Sequence, residues 1–341
     1  MLLKLLLALV ISFVVSSGFG YFYIPWLRAQ HAGQRIKKNG PVWHEQKNGT
    51  PTMGGVMFIL GILAACFALS FSLPNEDRLR ISFVFLFALG FGAIGFLDDW
   101  EKIRHKENLG LSGWMKFALQ VVLSLVFVYF MRKSGIASHG ESQPYFIVSA
   151  DSVPLWLYYI CAVFIITGTV NAVNITDGVD GLATGTSLPV FLFFVALCFL
   201  SQGKFGEQYL PEGIFSSAVI GGLFGFLIYN FNPAKVFMGD TGSLFLGGAI
   251  AAMAFAYNMP LILVILAFVF LVETLSDIIQ VAYFKLTHGK RIFKMAPFHH
   301  HLEMGGWTGK KWKERELFCL FTGVSLLCAI ISFILVYKRF I

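Results

Sequence analysis

LWLYYICAVFIITGTVNAVNITDGVDG, residues 155–181, carries the reading of both the fold and the chemistry. Its first part, 155–173, is an unbroken apolar run of the length that crosses a membrane as a helix, roughly 20 residues. A barrel strand would be about ten residues long and would alternate in polarity. The second part turns abruptly polar, with Asn171, Asn174, Asp177 and Asp180 set among glycines. Acids at a membrane boundary are costly, and such positions are functional by default.

The pattern extends over the whole chain. Of 341 residues, 57% are hydrophobic and 13% charged, whereas a water-soluble domain carries about 25% charged residues. Comparable apolar runs lie at 1–23, 53–73, 80–97, 115–132, 183–200, 213–230, 242–257, 260–284 and 317–337. The expectation is an all-α integral membrane protein, a bundle of about ten transmembrane helices forming a single catalytic domain over 1–341 with no soluble domain. The first run reads as an uncleaved helix: it lacks a small-x-small cleavage site and ends in the interfacial Tyr21-Phe22-Tyr23-Ile24-Pro25-Trp26. The five cysteines (Cys66, Cys161, Cys198, Cys319, Cys328) sit within apolar runs and read as small buried hydrophobes.

Most of the 26 Lys and Arg fall in the odd-numbered connections. These include Arg28, Arg35, Lys37, Lys38 and Lys47 after the first run, Lys102, Arg104, Lys106 and Lys116 around the third connection, and the series from Lys285 to Arg315 after the ninth. By the positive-inside rule those connections are cytoplasmic and both termini are periplasmic. Five aspartates, Asp98, Asp99, Asp177, Asp180 and Asp240, fall on that same face. Each alone reads equally as a helix cap or turn residue. Together they would repel one another unless a cation held them, and oxygen ligands beside a membrane suit Mg2+, which bridges substrate phosphates. The chemistry expected is phosphoryl transfer.

Two further segments belong to this face. Lys47-Asn-Gly-Thr-Pro-Thr52-Met-Gly-Gly55 is either a simple turn or a loop whose N–H groups cradle phosphate. Gly289 to Glu303 is basic and contains His299, His300 and His301; consecutive histidines do not converge on one zinc ion from a regular helix, so phosphate or sugar contacts suit them better. Glu273, Asp277 and Gln280 share one helical face within the ninth run.

Asp98-Asp99-Trp-Glu-Lys102, Asn171 to Leu182, Phe237-Met-Gly-Asp240-Thr-Gly-Ser243 and Pro297-Phe-His-His-His301-Leu-Glu303 resemble, in order and over essentially the whole chain, the signatures of the polyprenyl-phosphate N-acetylhexosamine-1-phosphate transferases. The triple histidine and the Lys47–Gly55 loop are closest to the branch that makes lipid I. The resemblance implies transfer of phospho-N-acetylmuramoyl-pentapeptide from its UDP derivative to undecaprenyl phosphate, with UMP released, Mg2+ as cofactor, membrane lipid as surroundings and a homodimer as the assembly. It implies the bacterial inner membrane, an active site on the cytoplasmic face, and no nucleic-acid partner.

Carried over by resemblance, Asp240 ligates Mg2+, Asp98 is the base or positions the polyprenyl phosphate, and Asp99 supports the metal or the diphosphate. Lys47, Asn174, Asp177, Asp180 and His299 resemble the nucleotide pocket, with Thr52, Asn171, Asn230, Gln280, His300 and His301 beside it. Asp180 would accept from a uracil N–H, and Lys102 would meet phosphate. One-step transfer and a covalent aspartyl intermediate both remain open. Two rivals are a sister enzyme acting on UDP-N-acetylglucosamine, disfavoured by the triple histidine, and an ion-coupled transporter, which would place its acids near the midplane of several helices.

Overall fold

Apolar runs bounded by glycine, proline and polar residues form helices because a helix satisfies all its interior backbone groups within the segment, a necessity where water is absent. A computed structural model describes residues 1–30, 47, 49–105, 110–133 and 154–341. Within these lie α1 (Leu2–Ala29), α2 (Gly55–Ser70), α3 (Asn75–His105), α4 (Gly113–Lys133), α5 (Leu155–Thr176), α6 (Leu182–Leu200), the short α7 (Gln202–Phe205), α8 (Leu210–Asn230) and α9 (Gly239–Ala256). They are followed by α10 (Leu263–Leu266), α11 (Phe268–Leu286), the short α12 (Phe298–Glu303) and α13 (Glu314–Phe340). Arg35, Lys37, Lys38 and Lys106, used above to orient the chain, lie outside the described residues.

Eight of these helices are long and apolar enough to cross a membrane: α1, α3, α4, α5, α6, α8, α9 and α13. Two expected runs differ in form. The 53–73 run yields only the 16 residues of α2, which starts after the left-handed Met53 (φ 69°) and ends at the turn of Phe71 and Ser72, ahead of Pro74. The 260–284 run is not one rod: the segment Pro260–Leu266 meets α11 at 81°. No Gly or Pro marks the break at Ala267, and nothing in the local sequence announces it. Conversely, α3 continues past the expected end at 97 to His105, because Lys102 pairs with Asp98 one turn back along the same helix.

α8 and α9 form the centre. α8 packs on α1, α2 and α6, and α9 on α3 and α5. The close approaches use glycine: a Cβ on Gly221 would lie 2.0 Å from the Leu9 carbonyl oxygen, and one on Gly247 would lie 2.5 Å from Val170 Cα. Aromatic rings fill the remaining space, with Phe87 stacked on Phe127 at 3.7 Å and Tyr209 on Tyr257 at 4.6 Å between centroids. Large apolar side chains such as Phe22, Phe164 and Leu286 are exposed on the outside of the bundle, the face that a lipid environment covers. At one end Arg80 pairs with the buried Glu212 at 2.7 Å, the Met1 amine with Glu207 at 3.3 Å, and Lys204 Nζ donates to the Arg339 carbonyl. Both described chain ends therefore meet beside α7. The five aspartates lie at the other end, reached by the C-terminal end of α8 at Asn230.

Gly221→Leu is expected to wedge α1 from α8 and cost about 2 kcal/mol, read as a lower Tm in detergent. Gly18→Leu, where a Cβ has nothing within 4 Å, should leave Tm unchanged.

Candidate active site

The sequence Gly239-Asp240-Thr241 opens α9, and the first N–H groups of any helix lack partners within it. Here they are met from another helix. Asp99 on α3 accepts from Thr241 N (2.9 Å), Thr241 Oγ1 (2.7 Å) and Asp240 N (3.2 Å). Gly95, one turn earlier on α3, permits the approach, since a Cβ there would lie 2.0 Å from the Asp240 carbonyl oxygen. Gly239 has φ 72°, and its missing side chain leaves room for Asp99 Oδ2 and Thr52 Oγ1.

This docking gathers Asp98, Asp99 and Asp240, each offering an oxygen within 4.8 Å of the others. Lys102 Nζ pairs with Asp98, with Asp240 at 2.9 Å and with Asp99 at 3.9 Å. Lys116, from the first turn of α4, adds a second ammonium 2.7 Å from Asp240 Oδ2. Asn174 at the end of α5 donates through Nδ2 to Asp240 Oδ1 and Ser243 Oγ, both at 2.8 Å. Asp98 also accepts from Leu111 N at 2.9 Å. Three convergent carboxylates form an all-oxygen donor set of the kind that hard divalent cations take, and the two lysines supply the cations that an anionic substrate would meet.

The turn after α5 adjoins this centre. Asp177 is half-buried; burial, then the charges of Asp240, Asp99 and Asp180, push its carboxyl well above the usual range, while Lys47 acts in the opposite direction. Asp180 is buried and fully engaged. Its Oδ1 pairs with Lys47 at 2.7 Å, and its Oδ2 accepts from Asn232 Nδ2 (3.1 Å) and Ala234 N (2.9 Å). Lys47 bonds at the same time to Glu314 Oε2 at 2.7 Å, and that oxygen accepts the Asp180 N–H at 3.1 Å. Asp180 thus ties together three segments beside the centre.

The histidine segment closes the other side. Gln280 on α11 accepts from Ile292 N and Phe293 N and donates to the Phe293 carbonyl, pinning the loop to the helix. The buried His299 contacts the buried Glu273 through Nδ1 at 2.9 Å, and its Nε2 lies where a Cβ on Gly178 would come within 2.4 Å. His300 Nδ1 meets Glu303 at 2.6 Å, and His301 Nδ1 accepts from Lys294 N at 3.0 Å. Burial, with Lys294 in support, lowers the His301 imidazole below its ordinary range, which fits Nδ1 acting as an acceptor.

Asp98, Asp99, Lys102, Asn174, Asp177 and Asp240 therefore share one locus, bordered by Lys47 with Asp180 and by His299. Several other expected residues are bonded within the protein. Asn230 is buried, donating to the Val236 carbonyl and accepting from Thr184. Asn171 binds Gln120 and the Thr167 carbonyl, one turn behind Asn174. In the Lys47–Gly55 loop, Gly54 N and Gly55 N donate to the Phe237 and Met238 carbonyls, so those two N–H groups do not cradle phosphate; Thr52 is buried beside Gly239. Sequence reasoning missed Lys116 and Glu314, which stood among basic residues read as orientation markers, and Ser243.

Residues 81–258 match glycosyl transferase family 4, and residues 47–59 match phospho-N-acetylmuramoyl-pentapeptide-transferase signature 1. The phospho-N-acetylmuramoyl-pentapeptide-transferase of Halalkalibacterium halodurans is 41% identical over 331 residues, covering 96% of both chains. That of Caldanaerobacter subterraneus is 42% identical over 334 residues, covering 98% of this chain and 99% of its own, and that of Listeria monocytogenes is 40% identical over 322, covering 94% and 95%. The chain belongs to glycosyl transferase family 4 and, within it, to the phospho-N-acetylmuramoyl-pentapeptide-transferases.

Gly239→Ala forces a Cβ to within 2.5 Å of Asp99 Oδ2 at a positive φ. It should lower stability by about 1–3 kcal/mol, read as a fall in Tm that Gly203→Ala, with open space around it, does not produce.

Proposed function

We propose that this chain transfers phospho-N-acetylmuramoyl-pentapeptide from UDP to undecaprenyl phosphate, producing lipid I and UMP. The observation that carries the reading is the convergence of Asp98, Asp99 and Asp240 with Lys102 and Lys116 at one end of a membrane bundle. One substrate is polyanionic and soluble and the other is held in lipid, so the reaction needs cations, carboxylates and an apolar approach in one place. The exposed Phe96, Leu97 and Trp100 flank Asp98 and Asp99 on α3, and Ile278, Ile279 and Val281 line α11, offering that apolar approach.

In the reaction an oxygen of undecaprenyl phosphate attacks the β-phosphorus of the UDP-linked donor. The bond from that phosphorus to the bridging oxygen breaks, and UMP leaves with the electron pair. Lys102 and Lys116 hold the phosphate oxygens as charge redistributes. Asp98 takes the proton of the lipid phosphate when that group arrives protonated. Lys47, Asn174, Asp177 and Asp180 border the nucleotide, Lys47 by its charge. The three carboxylates fit a divalent cation by donor type and mutual distance. Asp240, supported by Asp98 and Asp99, would hold Mg2+, which when bound neutralises diphosphate charge.

The ten-span bundle, counting α2 and the bent α10–α11 pair, sits in the bacterial inner membrane with both termini periplasmic and this centre cytoplasmic, in accord with the distribution of Lys and Arg.

Detergent-solubilised protein should release UMP from UDP-N-acetylmuramoyl-pentapeptide only when undecaprenyl phosphate and Mg2+ are present. Release from UDP-N-acetylglucosamine alone would overturn the choice of donor. Asp240→Asn should abolish turnover and leave the Tm transition cooperative; full Mg2+-dependent activity in that variant refutes the metal assignment. Reporters active only in the periplasm should report at either terminus, and silence at both reverses the orientation.

A further inference from the structure

Glu273 sits in the sixth position of α11, fully buried, where an ionised carboxylate is costly unless it is bound. Its Oε2 has two partners from one residue, the His299 backbone N at 3.3 Å and the His299 ring Nδ1 at 2.9 Å. An ionised Glu273 only accepts, and accepting from both nitrogens it selects the Nδ1–H form of the ring; among the described residues its other oxygen, Oε1, is likewise buried without a partner. Among the described residues the other ring nitrogen, Nε2, is buried and has no partner. It is aimed at the Asp177-Gly178 turn, where it lies 2.4 Å from the place a Gly178 Cβ would occupy. A buried polar atom without a partner is costly to leave unmet, and this one faces the turn that adjoins the carboxylate centre.

We infer that Glu273 is the positioning residue of His299, holding its ring so that Nε2 is presented, as an acceptor, to a donor group of the nucleotide-linked substrate at the Asp177–Gly178 turn. The inference rests on the transferase reading above and assigns a role to an acid that takes no part in phosphoryl transfer. The other groups around His299 do not duplicate it. Among the described residues Asp277, one turn along α11, makes no hydrogen bond to the ring, and the His300 ring, 4.2 Å away between centroids, is itself bonded to Glu303.

Two measurements test it. In protein labelled with 15N-histidine and assigned by comparison with His299→Gln, nitrogen shifts should show His299 protonated at Nδ1 and not at Nε2, and Glu273→Leu should lose that preference. A ring protonated at Nε2 in the unaltered chain overturns the inference. In UMP-release kinetics, Glu273→Leu should raise KM for the UDP-linked donor at least about tenfold, the scale on which supporting partners of a site residue act, with KM for undecaprenyl phosphate unchanged. Glu273→Gln keeps a carbonyl oxygen as acceptor and should hold KM within about threefold, a retained fraction of such an effect; equal losses in the two variants overturn the inference. The double variant Glu273→Leu with His299→Ala should be no worse than His299→Ala alone, whereas losses that multiply mark two independent roles and overturn it. If the unaltered chain releases no UMP, the transferase reading fails, while the nitrogen shifts still decide the Glu273–His299 contact.

Discussion

One carboxylate, Asp99 of α3, supplies what the first turn of α9 lacks. Helix starts are normally completed by their own N-cap side chain. At Met238 no such side chain exists, and three donors from Asp240 and Thr241 converge on Asp99 instead. Because the cap comes from a different helix, the local need of α9 becomes a tertiary constraint: α3 and α9 are in register only when Asp99 reaches them. That register fixes the separation of Asp98 from Asp240, and hence the whole acidic centre.

The same bonds show how a cluster of acids survives at the end of an apolar bundle. Each carboxylate has named cationic or N–H partners: Lys102 and Leu111 N at Asp98, Thr241 at Asp99, Lys102, Lys116 and Asn174 at Asp240. In low dielectric such a network rigidifies when satisfied and is costly when broken. The lysines balance the charge of the carboxylates, and the same ammonium groups are the cations that an anionic substrate would meet.

Much of this was legible in the chain because membrane physics leaves clear marks. Long apolar runs give helices, and polar groups at their ends stand out against them, so Asp98, Asp99, Asn174, Asp177 and Asp240 are conspicuous in the chain itself. What was not legible depends on side chains that share a composition but differ in place. Lys116 and Glu314 lie among residues whose charge also serves orientation, and only the fold shows that they reach Asp240 and Lys47. Asn230, Asn171 and Gln280 have the polar chemistry of ligand contacts, yet their amides are spent on the protein itself. The break at Ala267 arises without Gly or Pro, so no local residue type could reveal it.

That break gives α11 a mechanical character. The helix leaves Ala267 at 81° to the segment before it, and the histidine segment is fastened to it at two points, Glu273 and Gln280. Gln280 stands about 20 Å from the break along the axis, so a tilt of only about 5° there sweeps the fastened loop through roughly 1.7 Å. Such a displacement spans the difference between a hydrogen bond and none. The direction α11 takes at Ala267 is therefore felt most at Gln280, where it decides whether the bonds to Ile292 and Phe293 keep the histidine segment in place.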